Sequence, residues 1–166
     1  MEHTVMIMTQ GLATAQRHPD LLDQDLLLTG AFLHDIGKTR ELFWGLGREY
    51  TTEGRLVGHM SIGIMMLEEK LANLPEIPND LVLHLRHLVL SHHGNLEFGS
   101  PVRPATPEAL VLSLLDNTDA KINHLYSQLA YLKPDESWSG FDKVLETYLY
   151  QQKYTKTSLK QQEVAA

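Results

Sequence analysis

Apolar residues recur at helical spacing along almost the whole chain, and no stretch alternates polarity long enough to make a strand. Residues 2–17 form the first predicted helix. His18-Pro19-Asp20 interrupts it, because proline restricts the residue before it. Asp20 or a neighbour caps a second helix over 21–36, and Gly37 serves as its C-terminal stop. Residues 37–57 contain three further glycines with Phe43, Trp44 and Tyr50 and read as one long loop, a length that is usually functional in a compact domain. A third helix covers 58–72, and Pro75 and Pro78 bound the next connection. The fourth runs over 79–93 to Gly94. A loop with Pro101, Pro104 and Pro107 leads into a long fifth helix, 107–132, which Pro134 ends. A sixth helix is expected over 137–152, followed by a polar tail at 153–166 that is expected to fray. No internal repeat is visible. The expectation is one all-α domain, a helical bundle over residues 1–152.

Composition narrows the chemistry. The chain has 166 residues, 43% hydrophobic and 21% charged, so it can bury a core without staples. It has no cysteine, which removes disulfides, thiol nucleophiles and thiolate metal sites together. No apolar run is long enough for a membrane span, and Met1-Glu2-His3-Thr4 does not begin a signal peptide, so a cytoplasmic protein without membrane partners is expected. The formal charge of −7 argues against a basic nucleic-acid-binding module. Nine histidines stand out, and metal chemistry is the first thing to test among them.

The strongest local feature is Leu33-His34-Asp35-Ile36-Gly37-Lys38. An imidazole nitrogen and a carboxylate oxygen leave an apolar helix side by side, both acceptable to a divalent ion. A solvated helix end is the bland alternative. Counting back from His92 by four, seven and eleven reaches Leu88, Leu85 and Leu81, which puts His92 on the buried stripe. His93 is one position round, in line with Val89 and Val82. His59 shares a face with Ile62, Gly63 and Met66, Asp116 with Leu112 and Ala120, and His3 with Met6 and Ile7. Asp119 sits just round from Asp116. His84 and His87 lie on a flank without an obvious partner, and His18 and His124 are read as ordinary. One buried histidine is usually a satisfied core residue. Five with two aspartates, on inward faces of five helices, converge more economically on a metal centre.

These positions resemble the HD-domain superfamily of metal-dependent phosphohydrolases. Its dispersed signature is matched by His3, His34-Asp35 and Asp116, and the extra histidines of its two-metal branch by His59 and His92-His93. Most similar is the catalytic domain of the YhaM-type 3′–5′ exoribonucleases. The matching stretches are residues 34–42, 53–59, 91–101 and 116–121, and the run Ser91-His92-His93-Gly94-Asn95-Leu96-Glu97-Phe98-Gly99-Ser100-Pro101 is the most specific.

The resemblance implies an HD helical bundle with the metals between its helices and two divalent ions, Mn first, with Fe, Co, Mg, Zn or Ni as alternatives. It implies His3, His34, Asp35 and Asp116 around one ion, and Asp35, as the bridge, with His59, His92 and His93 around the other. Adjacent helical residues diverge by about 100°, so periodicity favours His92 over His93 as a ligand while the resemblance takes both. The expected reaction is hydrolysis by metal-bound hydroxide with Asp35 and Lys38 as catalytic residues. The expected substrate is a phosphate ester, foremost the 3′ end of single-stranded RNA or DNA. Lys38, Arg40, Arg55, Arg103 and Lys121 are candidate phosphate-binding residues, with helix capping by Lys38 and surface ion pairs by the others as the alternative. Phe43, Trp44 and Tyr50 either stack a base or anchor their loop. The resembled exonucleases carry an N-terminal OB-fold, which is expected to be absent from this chain. A metal ligand at the third residue is expected to sit on a fraying helix start. Homo-oligomerisation is open. Hydrolysis of nucleotides, cyclic nucleotides or phosphomonoesters, and a non-catalytic nucleotide- or nucleic-acid-binding role, are the rival readings.

Overall fold

A computed structural model of the chain describes residues 2–45, 47–74, 76–133 and 135–151. Pro75, Pro134 and the expected 153–166 tail lie outside the described residues, as does the Trp44 side chain. The chain divides into two compact units, Met1–Asp119 and Ala120–Ala166.

The first unit is helical. Helix α1, Glu2–Arg17, buries Ile7, Gly11 and Ala15, one face at four-residue spacing. The small residues on that stripe let helix α2, Gln24–Leu33, lie close: Gly11 faces Leu27 at ordinary van der Waals distance. The cap of α2 is Asp23, three residues later than Asp20, because the Asp23 carboxylate accepts the Leu26 N–H at 3.0 Å. Glu108 accepts the Asp23 N–H at 2.9 Å. Helix α5, His59–Leu71, helix α6, Asn79–Ser91, and helix α7, Pro107–Ala130, complete the framework. Ile7, Leu26, Leu27, Leu67, Leu85, Leu88 and Leu112 belong to one buried cluster. Gly30 admits Leu88, whose Cδ1 lies 2.6 Å from where a β-carbon would stand.

Residues 37–57 are not a loop. They fold as helix α3, Lys38–Glu41, a hairpin of β1, Leu42–Trp44, with β2, Arg48–Tyr50, and helix α4, Thr52–Val57. The hairpin is antiparallel and pairs Leu42 with Tyr50. Thr51 caps α4 by accepting the Gly54 N–H at 2.9 Å, and it donates to the Arg40 carbonyl at 2.9 Å. Each of these elements is too short to carry a periodicity, so glycine and aromatic content dominated the sequence signal.

In the second unit the expected sixth helix is replaced by a β-hairpin of β3, Trp138–Asp142, and β4, Thr147–Tyr150. Phe141, Val144, Leu145, Tyr148 and Leu149 have helical spacing, which is why a helix is expected. Asp142 overrides that spacing, because its Oδ1 accepts the N–H groups of Val144 at 2.9 Å and Leu145 at 2.7 Å and closes a turn. His124 is not an ordinary surface residue, since its Nε2 meets Asp142 Oδ2 at 2.6 Å and ties the hairpin to α7. In the first unit, His87 Nε2 accepts the Ala105 N–H at 2.8 Å.

Gly37 is not a left-handed helix stop. Its backbone is right-handed helical, with φ −61° and ψ −23°. Glycine is required because a β-carbon there would lie 1.9 Å from the His59 carbonyl oxygen and 2.7 Å from the Gly63 nitrogen. Its dihedrals suit any residue, so the effect of Gly37→Ala is purely steric. We expect Gly37→Ala to lose at least about 2 kcal/mol in urea denaturation, at the upper end of overpacking costs. Gly47→Ala, where a β-carbon meets nothing within 4 Å, should stay within about 0.5 kcal/mol of the parent.

Candidate metal centre

Helix α2 ends at Leu33, and a tight turn carries His34 and Asp35 away from it. The His34 N–H still reaches the Gly30 carbonyl at 2.8 Å. His34 is fully buried, and the Asp35 side chain is 14% exposed. Around Asp35 the fold gathers histidines from α1, α5 and the end of α6. His34 Nε2 lies 3.5 Å and His3 Nε2 3.9 Å from Asp35 Oδ2. On the other oxygen, His92 Nε2 lies 3.6 Å and His59 Nε2 3.7 Å from Oδ1. A ring nitrogen of His93 lies within 4.8 Å of the ligand atoms of Asp35, His59 and His92. Asp116 Oδ1 reaches His3 Nε2 at 3.2 Å. Six of the seven expected ligands thus fall into two groups that meet at Asp35, and Asp116 adjoins them through His3.

The orientation of the rings is as telling as their positions. Every one of the five imidazoles has its Nδ1 against an oxygen acceptor. His34 donates to the Ala31 carbonyl at 2.7 Å, His92 to the Val89 carbonyl at 2.7 Å and His93 to the Phe98 carbonyl at 2.8 Å. His3 is held by Asp119 at 2.5 Å and His59 by Glu41 at 3.2 Å. A proton fixed on Nδ1 leaves the Nε2 lone pair for a ligand, and this is how metal-ligating histidines are oriented. Among the described residues, Asp35 Oδ1, His59 Nε2 and His92 Nε2 are buried with no hydrogen-bond partner. Orphaned buried polar atoms are rare because each costs about 1–3 kcal/mol. These three belong to one site and all are metal ligands by type. The donor set thus fits divalent ions, and two groups form, Asp35 with His59, His92 and His93, and Asp35 with His3 and His34.

Ionisation agrees with this geometry. Burial pushes the His34 imidazolium down to about 4, with Asp35 opposing, so the ring is neutral near pH 7. Burial also opposes charge on Asp35, but His92, His34 and Lys38 outweigh it and hold the carboxyl well below the usual range. His3 is raised to about 9, chiefly by its bond to Asp116, against burial. Ligation of a metal at His3 Nε2 would therefore release a proton.

The HD domain model matches residues 1–121. The chain belongs to the HD-domain family. Among curated proteins, this chain is 43% identical over 134 residues to the 3′–5′ exoribonuclease YhaM of Bacillus subtilis (strain 168), covering 81% of this chain and 42% of that protein. It is 45% identical over 134 residues to the YhaM of Shouchella clausii (strain KSM-K16), covering 81% of this chain and 41% of that one. The chain spans about two-fifths of the length of these relatives. No solved structure gives a significant match.

The divergence of His92 and His93 is resolved at the helix end. Helix α6 stops at Ser91, His92 is its cap, and Gly94 at φ +78° turns the chain so that its N–H returns to the Ser91 carbonyl at 2.8 Å. His93 has left the helix, and its ring stands 4.3 Å from that of His92. His3 is not loose either, because Asp119 and Asp116 grip both its nitrogens. Among the cations, Lys38 is at the centre, with Nζ 2.6 Å from Asp35 Oδ2. Arg40 is committed to a bidentate pair with Glu69 at 2.8 and 3.2 Å. Arg55 stands over the Tyr50 ring, 5.7 Å from its centroid. Arg103 and Lys121 are exposed.

Sequence reasoning missed Glu41 and Asp119 as orienting groups. Asp119 follows Asp116 by three on α7, a spacing that signals a shared face. Glu41 gave no signal, because its short helix was read as loop. Its Oε1 also accepts the His59 backbone N–H at 3.0 Å. Glu41→Gln should lower Mn²⁺ affinity about 10- to 100-fold in calorimetric titration, with the far-UV circular dichroism unchanged.

Proposed function

We propose that this HD domain is a two-metal phosphodiesterase that removes nucleotides from the 3′ end of single-stranded RNA, with single-stranded DNA as the related substrate. What carries this reading is the shared carboxylate, with His34 and His3 near one oxygen of Asp35 and His59 and His92 near the other. Two ligand sets that meet at one carboxylate suit a pair of ions. His3, His34 and Asp116 would hold one ion and His59, His92 and His93 the other, with Asp35 contributing to both. Bound there, the ions supply Lewis acidity to a phosphoryl centre and a water acidic enough to attack it near neutral pH. Nitrogen and carboxylate donors without sulfur suit manganese, the proposed metal.

The chain's own groups do the rest. Glu41, Asp119 and three backbone carbonyls hold the imidazoles in one tautomer. Lys38, partly exposed beside Asp35, places a positive charge where a substrate phosphate would arrive. RNA and the 3′ end are favoured by the similarity to proteins named 3′–5′ exoribonucleases. Among the described residues no helix is long and apolar enough to cross a membrane.

The deciding experiment is incubation with Mn²⁺ and a 5′-labelled oligoribonucleotide beside a panel of nucleotides and phosphomonoesters. A 3′-shortening ladder is expected. Release of inorganic phosphate from the panel without a ladder would move the substrate to monomers. Elemental analysis after gentle purification should give close to two metals per chain. Asp35→Ala should abolish hydrolysis while helical content survives, and an active Asp35→Ala protein would overturn the mechanism.

A further inference from the structure

Beside the His59–His93 half of the centre lies a cavity of about 300 Å³ that the metal ligands do not fill. Its walls include Val57, Met60, Phe98 and Pro101 together with His59 and His93 themselves. It therefore joins an apolar chamber to a cluster of metal-ligating groups. Phe98 stands out here, because a large aromatic residue is left 61% exposed next to the chemistry. It ends the short 3₁₀ turn Leu96–Phe98, which Gly99 closes with φ +92°. Through its carbonyl Phe98 also fixes His93 Nδ1 at 2.8 Å. One residue thus orients a ligand-bearing ring and lines the neighbouring cavity. The adjacent Ser100 is 3% exposed and its hydroxyl has no hydrogen-bond partner.

From this juxtaposition we infer that the cavity is the subsite for the terminal nucleoside of the substrate, with the Phe98 ring as the surface on which its base stacks. The inference rests on the phosphodiesterase reading and specifies what lies beside the scissile phosphate. A nucleotide is charged at one end and flat and weakly polar at the other, and the site has the same division over one cavity's length. At the low end of the roughly 300–1,000 Å³ range of small-molecule sites, the volume suits one nucleoside and not two. Stacking on an aromatic ring accepts every base, so the subsite selects for a terminal base without selecting its identity.

The test compares the parent with Phe98→Ala and Phe98→Trp on two oligoribonucleotides, one with a 3′-terminal base and one ending in an abasic ribose. For the base-bearing end, Phe98→Ala should raise KM roughly tenfold with kcat within about twofold, and Phe98→Trp should restore KM. For the abasic end, KM should be the same in all three proteins. A separate binding measurement in EDTA uses an oligonucleotide ending in 2-aminopurine, whose fluorescence the parent and Phe98→Trp should quench and Phe98→Ala should not. Unchanged metal stoichiometry in Phe98→Ala shows that His93 is still in place. Equal KM effects on both ends, or quenching that survives Phe98→Ala, would overturn the subsite. Hydrolysis of bis(p-nitrophenyl) phosphate by the parent separates the two levels. If Mn²⁺-dependent cleavage of that diester is absent, the metal-centre reading fails. If it is present while Phe98 is indifferent, only the subsite fails.

Discussion

The centre depends on one backbone contact, the approach of Gly37 to the first turn of α5. No side chain fits between Gly37 and the His59 carbonyl. That contact brings the turn bearing His34 and Asp35 against the helix that begins with His59, two elements 24 residues apart in the chain by their His-Asp and His positions. A second close approach, Gly54 against the Glu41 backbone, where a β-carbon would lie 2.2 Å from the carbonyl oxygen, holds α3 and α4 together. Glu41 is thereby placed to orient His59. Two glycines thus transmit chain packing into the angle of an imidazole. Neither acts through a left-handed conformation, since both sit in or beside right-handed helices.

Those glycines make a site that is costly to maintain empty. Each of its imidazoles has an oxygen acceptor at Nδ1, and three buried polar atoms in the centre, Asp35 Oδ1, His59 Nε2 and His92 Nε2, lack partners. In a core of this size that is a sizeable fraction of the net stability of a domain, about 5–15 kcal/mol. A fold tolerates such a debit when ligation cancels it, and ligation then stabilises the folded state by mass action. The rigidity of the orienting shell follows from the same point. If Glu41 or Asp119 left its ring free to rotate, the ligand nitrogen would find some other partner and the centre would lose its preorganisation.

How much of this the sequence carried depended on length scale. The long helices and the inward faces of His3, His59, His92 and Asp116 were legible because a 3.6-residue period over ten or more positions averages out local noise. Elements of three to six residues were not, and the whole 37–57 region was misread for that reason. The C-terminal hairpin shows the opposite failure. There the period was present and helical, but an aspartate closing a tight turn and strand-forming aromatics decided the structure. His93 illustrates a third limit. Its helical phase argued against ligation beside His92, yet the helix ends one residue earlier, so the phase no longer applies. Glu41 could not be found at all without the tertiary contact that gives it a partner.

The electrostatics of the centre decide what the metals must do beyond chemistry. Asp35, Asp116, Asp119 and Glu41 surround the imidazoles, and Lys38 pairs with Asp35. With the whole chain at −7, such a cavity repels a phosphodiester. Two divalent cations would cancel the charge of those four carboxylates and leave Lys38 to make the local sign positive. Metal loading would then strengthen substrate binding as well as permit bond cleavage. The net charge, which on its own argues against a polyanionic partner, says little about the site, because the charge that the substrate meets belongs to the loaded centre. It does bear on the rest of the surface, where the acidic chain offers little hold on an extended strand. Within this domain, the contacts proposed for the substrate are then concentrated at the scissile phosphate and immediately beside it.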